Sequence, residues 1–299
     1  MKKMNKKAGL WLFGVSCLAL QLLAYGAVSL SLADGILLGA GQAAVLLAGA
    51  VYLLIDRRAR TDTQEDRRGG TSRTDGKKRE TAKRGTLGAT LSVSLGTAGY
   101  AVSFVCFAFL LTLPLQKGLS LLGVASLNET GVFTSLWERL LYCWLLPAVT
   151  ATFLLCLAVI PRLERTINKQ WQTALLAGVF CVFFLPQLGS VLAHWLMGVL
   201  LCLLYVRTRS LLTTFSVSLV MNGFLFLQSY LQTLGVSGAE AYTMAQCVGI
   251  GLTFSSLGAV VFYLNEKKES KKKVKALELL CLLVVACFLF VLGMALWLG

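Results

Sequence analysis

Long, nearly charge-free apolar runs alternate along this chain with short polar segments that hold almost all of its Lys, Arg, Asp and Glu. A helix needs roughly 20 predominantly apolar residues to cross a bilayer. Runs of that character lie near 8–32, 36–55, 87–115, 140–160, 171–187, 190–206, 210–232, 243–264 and 276–298. They predict an all-α fold, a polytopic transmembrane helical bundle of about eight or nine spans. The first run is longer than a signal-peptide core, lacks a small-residue cleavage site and leads almost directly into the second, so it reads as a retained helix. The chain divides into two N-terminal helices (1–55), a basic loop (56–86), a central set of helices (87–232) and two C-terminal helices (233–299).

Composition agrees with a bilayer setting. Of 299 residues, 57% are hydrophobic and only 14% charged, which leaves too little charge to cover a soluble domain of this size. The formal net charge of +14 would suit a nucleic acid if the basic residues shared one folded face. They sit instead in blocks between apolar runs, and no nucleic-acid partner is expected. The blocks are Lys2 to Lys7, Arg57 to Arg84, Arg162 to Lys169, Arg207 with Arg209, and Lys267 to Lys275. All fall on one side of the membrane if the N-terminus is cytoplasmic, leaving Lys117 and Arg139 on the other. The positive-inside rule then predicts an integral membrane protein with a cytoplasmic N-terminus and an external C-terminus.

The segment Asp56 to Thr86 has no aromatic residue and almost no aliphatic one. It cannot build a core, so a flexible cytoplasmic loop is expected. Its basic residues, with Lys267, Lys268, Lys271, Lys272, Lys273 and Lys275, serve as topology determinants. They would also attract anionic lipids, at roughly 1 kcal/mol per basic residue held near the surface.

Candidate chemistry is sparse. Nine cysteines lie in apolar segments and none forms a CxxC pair, so they read as small packing residues rather than disulfide or zinc ligands. Asn128-Glu129-Thr130 matches the glycosylation tripeptide on the outer side. Mid-membrane ionisable residues, which are expensive and usually functional, are essentially missing. Asp34, Glu138, Glu164, Glu240 and Glu278 all fall near span ends. The interior offers neutral groups: Gln21, Gln42, Thr152, Ser218, Asn222, Gln228, Gln246 and the one histidine, His194. No phosphate loop, nucleotide fingerprint or metal-ligand spacing is found, and no cofactor is expected.

Three stretches share a pattern: ATFLLCLAVIPRL (151–163), WQTALLAGVFCVFFLP (171–186) and LMGVLLCLLYVRTRSLLTTFSVSLVMN (196–222). Together they resemble the core of the CPBP family of membrane proteins, which includes type II CAAX prenyl endopeptidases and bacteriocin-immunity Abi proteins. The family reads like EExxxRGxxxPRL in the first stretch, FxxxHxP after a Trp in the second, and LGLLYxRTGSL followed by HxxxN in the third. This chain keeps the framework: Pro161, Arg162, Leu163, Trp171, Phe180, Pro186, Gly198, Tyr205, Arg207, Thr208, Ser210 and Asn222. It departs in the chemistry. The paired glutamates fall on Ala151 and Thr152, the arginine on Cys156, the first histidine on Phe184 and the second on Ser218, so Asn222 alone remains of the polar catalytic set.

At 1.5 Å of rise per residue, Ala151 and Thr152 lie ~15 Å, Ser218 ~12 Å, Asn222 ~18 Å and Phe184 ~20 Å from the cytoplasmic helix ends, so all five should converge at mid-depth. Ser218 and Asn222 are one turn apart on a shared face. Metal-assisted hydrolysis needs about three His or carboxylate ligands together with a base, which Ala, Thr, Phe, Ser and Asn do not supply. Cys156 with His194 would be a competent nucleophile and base, yet the same rise separates them by ~10 Å along the bundle. His194 reads as a packed or interfacial imidazole, and Asn222 as an interhelical hydrogen bond or a retained binding residue. Gly251 and Ser255, one turn apart, permit close helix approach, read first as packing within the chain and alternatively as self-association.

The resemblance implies a CAAX-protease-like core, a bacterial plasma-membrane location and a degenerate, non-catalytic member. Such a protein would bind or scaffold a membrane protein or lipid-anchored peptide, with Thr152, Ser218 and Asn222 as binding candidates and no metal. With Phe184 in place of a histidine, the mid-membrane site should be smaller and drier than an active member's cavity. An active endopeptidase with displaced residues and a small-solute transporter are the alternatives; midplane charges and paired broken helices, which mark many transporters, are not evident in the sequence.

Overall fold

The computed structural model describes residues 6–29, 36–68, 95–121, 135–185, 191–233, 242–269 and 276–298. Among these residues there is no strand, and nine helices follow one another. They are α1 (Lys6–Ser29), α2 (Ile36–Arg68), α3 (Leu95–Leu121), α4 (Leu136–Leu163), α5 (Gln170–Phe184), α6 (Val191–Thr208), α7 (Leu211–Thr233), α8 (Met244–Glu269) and α9 (Ala276–Leu298). Seven, all but α5 and α7, are long and apolar enough to cross a membrane, as expected of an integral membrane protein. In α5 the apolar stretch is Gln170–Phe184, and in α7 its described part is Leu211–Phe224. The 15 residues of α5 rise only about 22 Å against a hydrocarbon core of about 30 Å.

Helix α4 carries the segment that matters most, and its two prolines shape it. A proline inside a helix has no N–H to donate and its ring presses on the preceding turn. Both prolines follow a widened, π-helical turn: Leu140–Leu145 ends one residue before Leu146-Pro147, and Leu154–Val159 ends at Ile160-Pro161. The closing bonds span five residues, from the Leu146 N–H to the Leu141 carbonyl and from the Ile160 N–H to the Leu155 carbonyl. Each wide turn moves the proline ring clear of the turn before it, so the helix continues through Pro161 to Leu163 instead of stopping there. The regular segment Leu146–Phe153 is thus bracketed by two π-turns, a feature that recurs at functional sites. A reciprocal capping box between Ser135 and Glu138 starts the helix.

Helix α4 sits at the centre, with 61% of its most apolar window buried, and packs against α2, α5, α6 and α7. Helix α1 lies over α2 and α5, while α3 joins α6 and α7 to α8. Glycines set the closest approaches. A Cβ at Gly198 of α6 would meet the Gly178 Cα of α5 at 2.8 Å, and one at Gly251 of α8 would meet the Leu110 Cα of α3 at 2.7 Å. Gly251 therefore serves packing within the chain, as its spacing predicts. Helix α9 is peripheral: only 11% of its apolar window is buried, and Leu280, Val284, Phe288 and Val291 face outward.

One end of the bundle gathers the basic residues. Arg162 at the end of α4 lies over the Tyr52 ring midway along α2, 4.5 Å from its centroid. Arg207 at the end of α6 pairs with Glu266 of α8, which also accepts a 2.8 Å bond from the Tyr100 hydroxyl of α3. Arg209 forms a two-pronged bond to Glu164, at 2.6 and 2.8 Å, and Lys267 of α8 pairs with Glu278 of α9 at 2.6 Å. The hydrogen bond to Glu164 pushes the Arg209 guanidinium further above its ordinary range.

Several boundaries differ from those read in the sequence. Helix α2 continues from Ile55 through Asp56 to Arg68, so the first part of the expected loop is helical. That stretch lacks Gly and Pro and places Asp56 four residues before Arg60 and Arg58 four before Asp62, spacing that favours a helix. The third run is helical over its described residues, from Leu95 past Pro114 to Leu121. Residues 69–94, the tripeptide at 128–130, Pro186, Asp34, Glu240 and Lys271 to Lys275 lie outside the described residues.

Candidate functional site

Thr150, Ala151 and Thr152 lie on the bracketed segment of α4, each with no exposed surface. Thr150 returns its hydroxyl to the Leu146 carbonyl at 2.7 Å, the usual way a threonine hydroxyl is satisfied within a helix. Thr152 does not do the same. The carbonyl one turn before it, on Ala148, accepts instead from the Ser218 hydroxyl of α7 at 3.3 Å, across seventy residues of sequence. The Thr152 hydroxyl is left buried without a partner.

Ser218 and Asn222 act as one unit. The Asn222 side-chain amide donates to the Ser218 carbonyl at 2.8 Å and to the Ser218 hydroxyl at 3.3 Å, and lies 3.6 Å from the Met197 sulfur of α6. A chain of contacts therefore runs from α6 through Asn222 and Ser218 to the backbone of α4. Ser218 has no exposed surface and Asn222 is 3% exposed. Trp144 adds a second tie between the same helices, donating its indole N–H to the Leu219 carbonyl at 2.8 Å, while Gly223 leaves room for the ring.

Of the residues singled out in the sequence, the structure thus joins Ser218 and Asn222 to the α4 segment that carries Ala151 and Thr152. Phe184 belongs to the same buried core as Ala151 and Met197. Its ring neighbours are Phe13 of α1, at 6.0 Å between centroids, and Phe180, at 6.3 Å. Phe13 in turn stacks on Tyr52 at 4.6 Å, so aromatic rings extend from Phe184 toward the basic end. Cys156 lies in the second π-turn, fully buried beside Cys202 and Thr214. His194 is 1% exposed and sits two turns before Cys202 on α6, roughly 12 Å along the axis. Cys156 and His194 are therefore apart, as their depths predict.

The site is enclosed and neutral. Among the described residues, no three His, Cys, Asp or Glu side chains gather where they could hold a metal. A small apolar cavity of about 20 Å³, lined by Thr112, Ala193, Met197, Met221 and Phe224 among others, opens on the α3 side of Met197. It reaches neither Thr152 nor Ser218. Sequence reading missed the Ala148 carbonyl and Met197, since a backbone acceptor and a thioether carry no motif; the two prolines were the available signal for the π-turns.

Below the site, α6 and α7 meet at a sharp corner. Arg209 takes φ 51°, the left-handed conformation that commonly ends a helix and favours glycine. Ser210 caps the next helix, its hydroxyl accepting from the Thr213 N–H at 3.2 Å, and its own N–H donates to the Thr208 hydroxyl at 3.3 Å. Compared with protein-family models, curated proteins and solved structures, the chain matches none.

Proposed function

We propose that this protein is a non-catalytic relative of the CPBP membrane proteins that binds or scaffolds a membrane protein or lipid-anchored peptide. The observation that carries this reading is the Asn222–Ser218–Ala148 chain. At the positions where the family pattern has a histidine, an asparagine and the helix of the paired glutamates, this chain has neutral groups already engaged: Ser218 donates across to the Ala148 carbonyl of α4, and Asn222 donates to Ser218 one turn before it and reaches the Met197 sulfur of α6. None of them supplies an acid, a base or an activated nucleophile.

Other features favour the same framework. The pattern's RTGS corner puts a glycine where Arg209 stands, and the left-handed φ there is the conformation glycine would take without strain. The residues shared with the pattern do structural work: at helix ends Arg162 lies on Tyr52, Arg207 pairs with Glu266 and Ser210 caps α7, and in mid-helix Gly198 packs against Gly178. The unpartnered Thr152 hydroxyl is where a bound group would find a hydrogen bond. The basic end faces the cytoplasm in this reading, with the N-terminus on the same side.

The test uses cells that depend on the protein. Cys156→Ala and His194→Ala should leave biological activity intact, measured per molecule of folded protein. Asn222→Leu and Arg207→Ala should lower abundance, partner binding or both, through the lost interhelical bond and the lost Glu266 pairing. Loss of function in Cys156→Ala or His194→Ala at normal abundance would overturn the reading.

A further inference from the structure

Away from α6 and α7, two more polar side chains are buried without a partner, and their needs are complementary. Gln21 of α1 is 1% exposed and Gln42 of α2 is 6% exposed. The Gln21 Nε2 group is a donor with no acceptor, and the Gln42 Oε1 atom is an acceptor with no donor. Both residues flank one close helix contact. A Cβ at Gly41 would lie 3.2 Å from the Ala24 Cβ and 3.5 Å from Gln21 Oε1. Gln42 is the next residue along.

Helical spacing aims both amides into the bundle. Gln42 lies three residues after Gly39, which is packed against Tyr142 of α4, and seven before Gly49, packed against Leu154 of α4. Gln21 lies seven residues after Gly14, which sits under Phe180 and Phe183 of α5. Lipid cannot satisfy either atom, and an unpartnered amide in such surroundings is strongly unfavourable. One surplus donor and one surplus acceptor at one level of a helix pair call for a group that does both.

We propose that Gln21 and Gln42 are the two halves of a binding site for a single buried water, which accepts from Gln21 Nε2 and donates to Gln42 Oε1. Water is the smallest molecule with both capacities, and buried waters typically hold two to four such bonds. The site fastens α1 to α2 where both turn toward α4 and α5. It stands independently of the functional reading above, since it shares no residue with the α4–α6–α7 site.

The experiment is solid-state NMR on the full-length protein in lipid bilayers, with glutamine side-chain nitrogens labelled and magnetisation transferred from water. The Gln21 side-chain NH₂ should receive magnetisation from a long-lived water, and Gln42→Leu should remove that transfer while leaving the Ser218 and Asn222 signals in place. In thermal unfolding, Gln21→Leu and Gln42→Leu should each lower the midpoint by about 2–4 °C. The double variant should lose no more than the worse single. An NH₂ group with no water contact, a direct Gln21 to Gln42 contact in its place, or additive losses in the double variant would overturn the proposal.

Discussion

Helices α4 and α9 are both long and apolar, yet they occupy opposite situations. Helix α9 has 11% of its apolar window buried and turns Val284, Val285, Phe288 and Val291 outward. Helix α4 has 61% buried, two prolines, two widened turns and three buried threonine or alanine positions in a row. In water the more buried helix would be the more apolar one. In a bilayer the lipid is already an apolar solvent, so apolar side chains gain little by leaving it. What distinguishes a protein-facing helix is small residues, backbone irregularity and polar groups that find partners on neighbours. The candidate site lies where those three coincide.

Overpacking should separate the two helices most sharply. Ala151→Leu or Ala148→Leu forces three extra carbon atoms into positions with no exposed surface, which should cost about 1–3 kcal/mol or more and appear as lost abundance or a lowered unfolding midpoint in detergent. Val284→Leu, on a site 61% exposed to lipid, should shift stability by about 0.5 kcal/mol or less. Equal effects at the two sites would break the comparison.

The polar tie comes next. Asn222→Leu should destabilise by about 1 kcal/mol, and Ser218→Ala by somewhat less. Because Asn222 donates to Ser218, the double variant should lose less than the sum, and additive losses in a double-mutant cycle would mean that the two do not act as a unit.

The prolines offer a sharper structural test. Pro147→Ala and Pro161→Ala each restore an N–H and remove the ring that the wide turn accommodates. Backbone exchange measured by mass spectrometry around 140–146 and 154–160 should slow, as five-residue bonds convert to four-residue ones. Unchanged exchange would mean that packing, not proline, holds the π-turns open.

The smallest effect is expected at the α6–α7 corner. Arg209→Gly relieves a left-handed residue, worth about 1 kcal/mol, but loses an exposed ion pair worth about 0.5 kcal/mol after solvent screening. The net should be a slight gain in unfolding midpoint, whereas Glu164→Gln, which removes only the pair, should give a slight loss.

Much of this architecture was legible in the residue pattern. The nine apolar runs correspond to the nine helices among the described residues, and of the five residues expected to converge at mid-depth, Ser218 bonds directly to the α4 segment while Asn222 reaches it through Ser218. What the pattern did not disclose has physical causes. A membrane helix is apolar all round, so Leu154 facing Gly49 or Leu110 facing Gly251 leaves no amphipathic trace. The polar stretch after Ile55 reads as a loop by composition, yet it contains no helix breaker before Gly69. Thr152 appeared as one neutral residue among several; that its hydroxyl goes unpartnered depends on Ser218 having taken the Ala148 carbonyl, a contact no local signal encodes.

In the proposed function, the Thr152, Ser218 and Asn222 site holds helices and partners and does no chemistry. The most direct measurement is hydrolysis of prenylated and transmembrane peptides by the protein purified away from host proteases and reconstituted in bilayers, followed by mass spectrometry. Intact peptide is expected, with the same result in Thr152→Ala and Asn222→Ala. Cleavage by the unaltered protein that disappears in either variant, while the fold is retained, would contradict it.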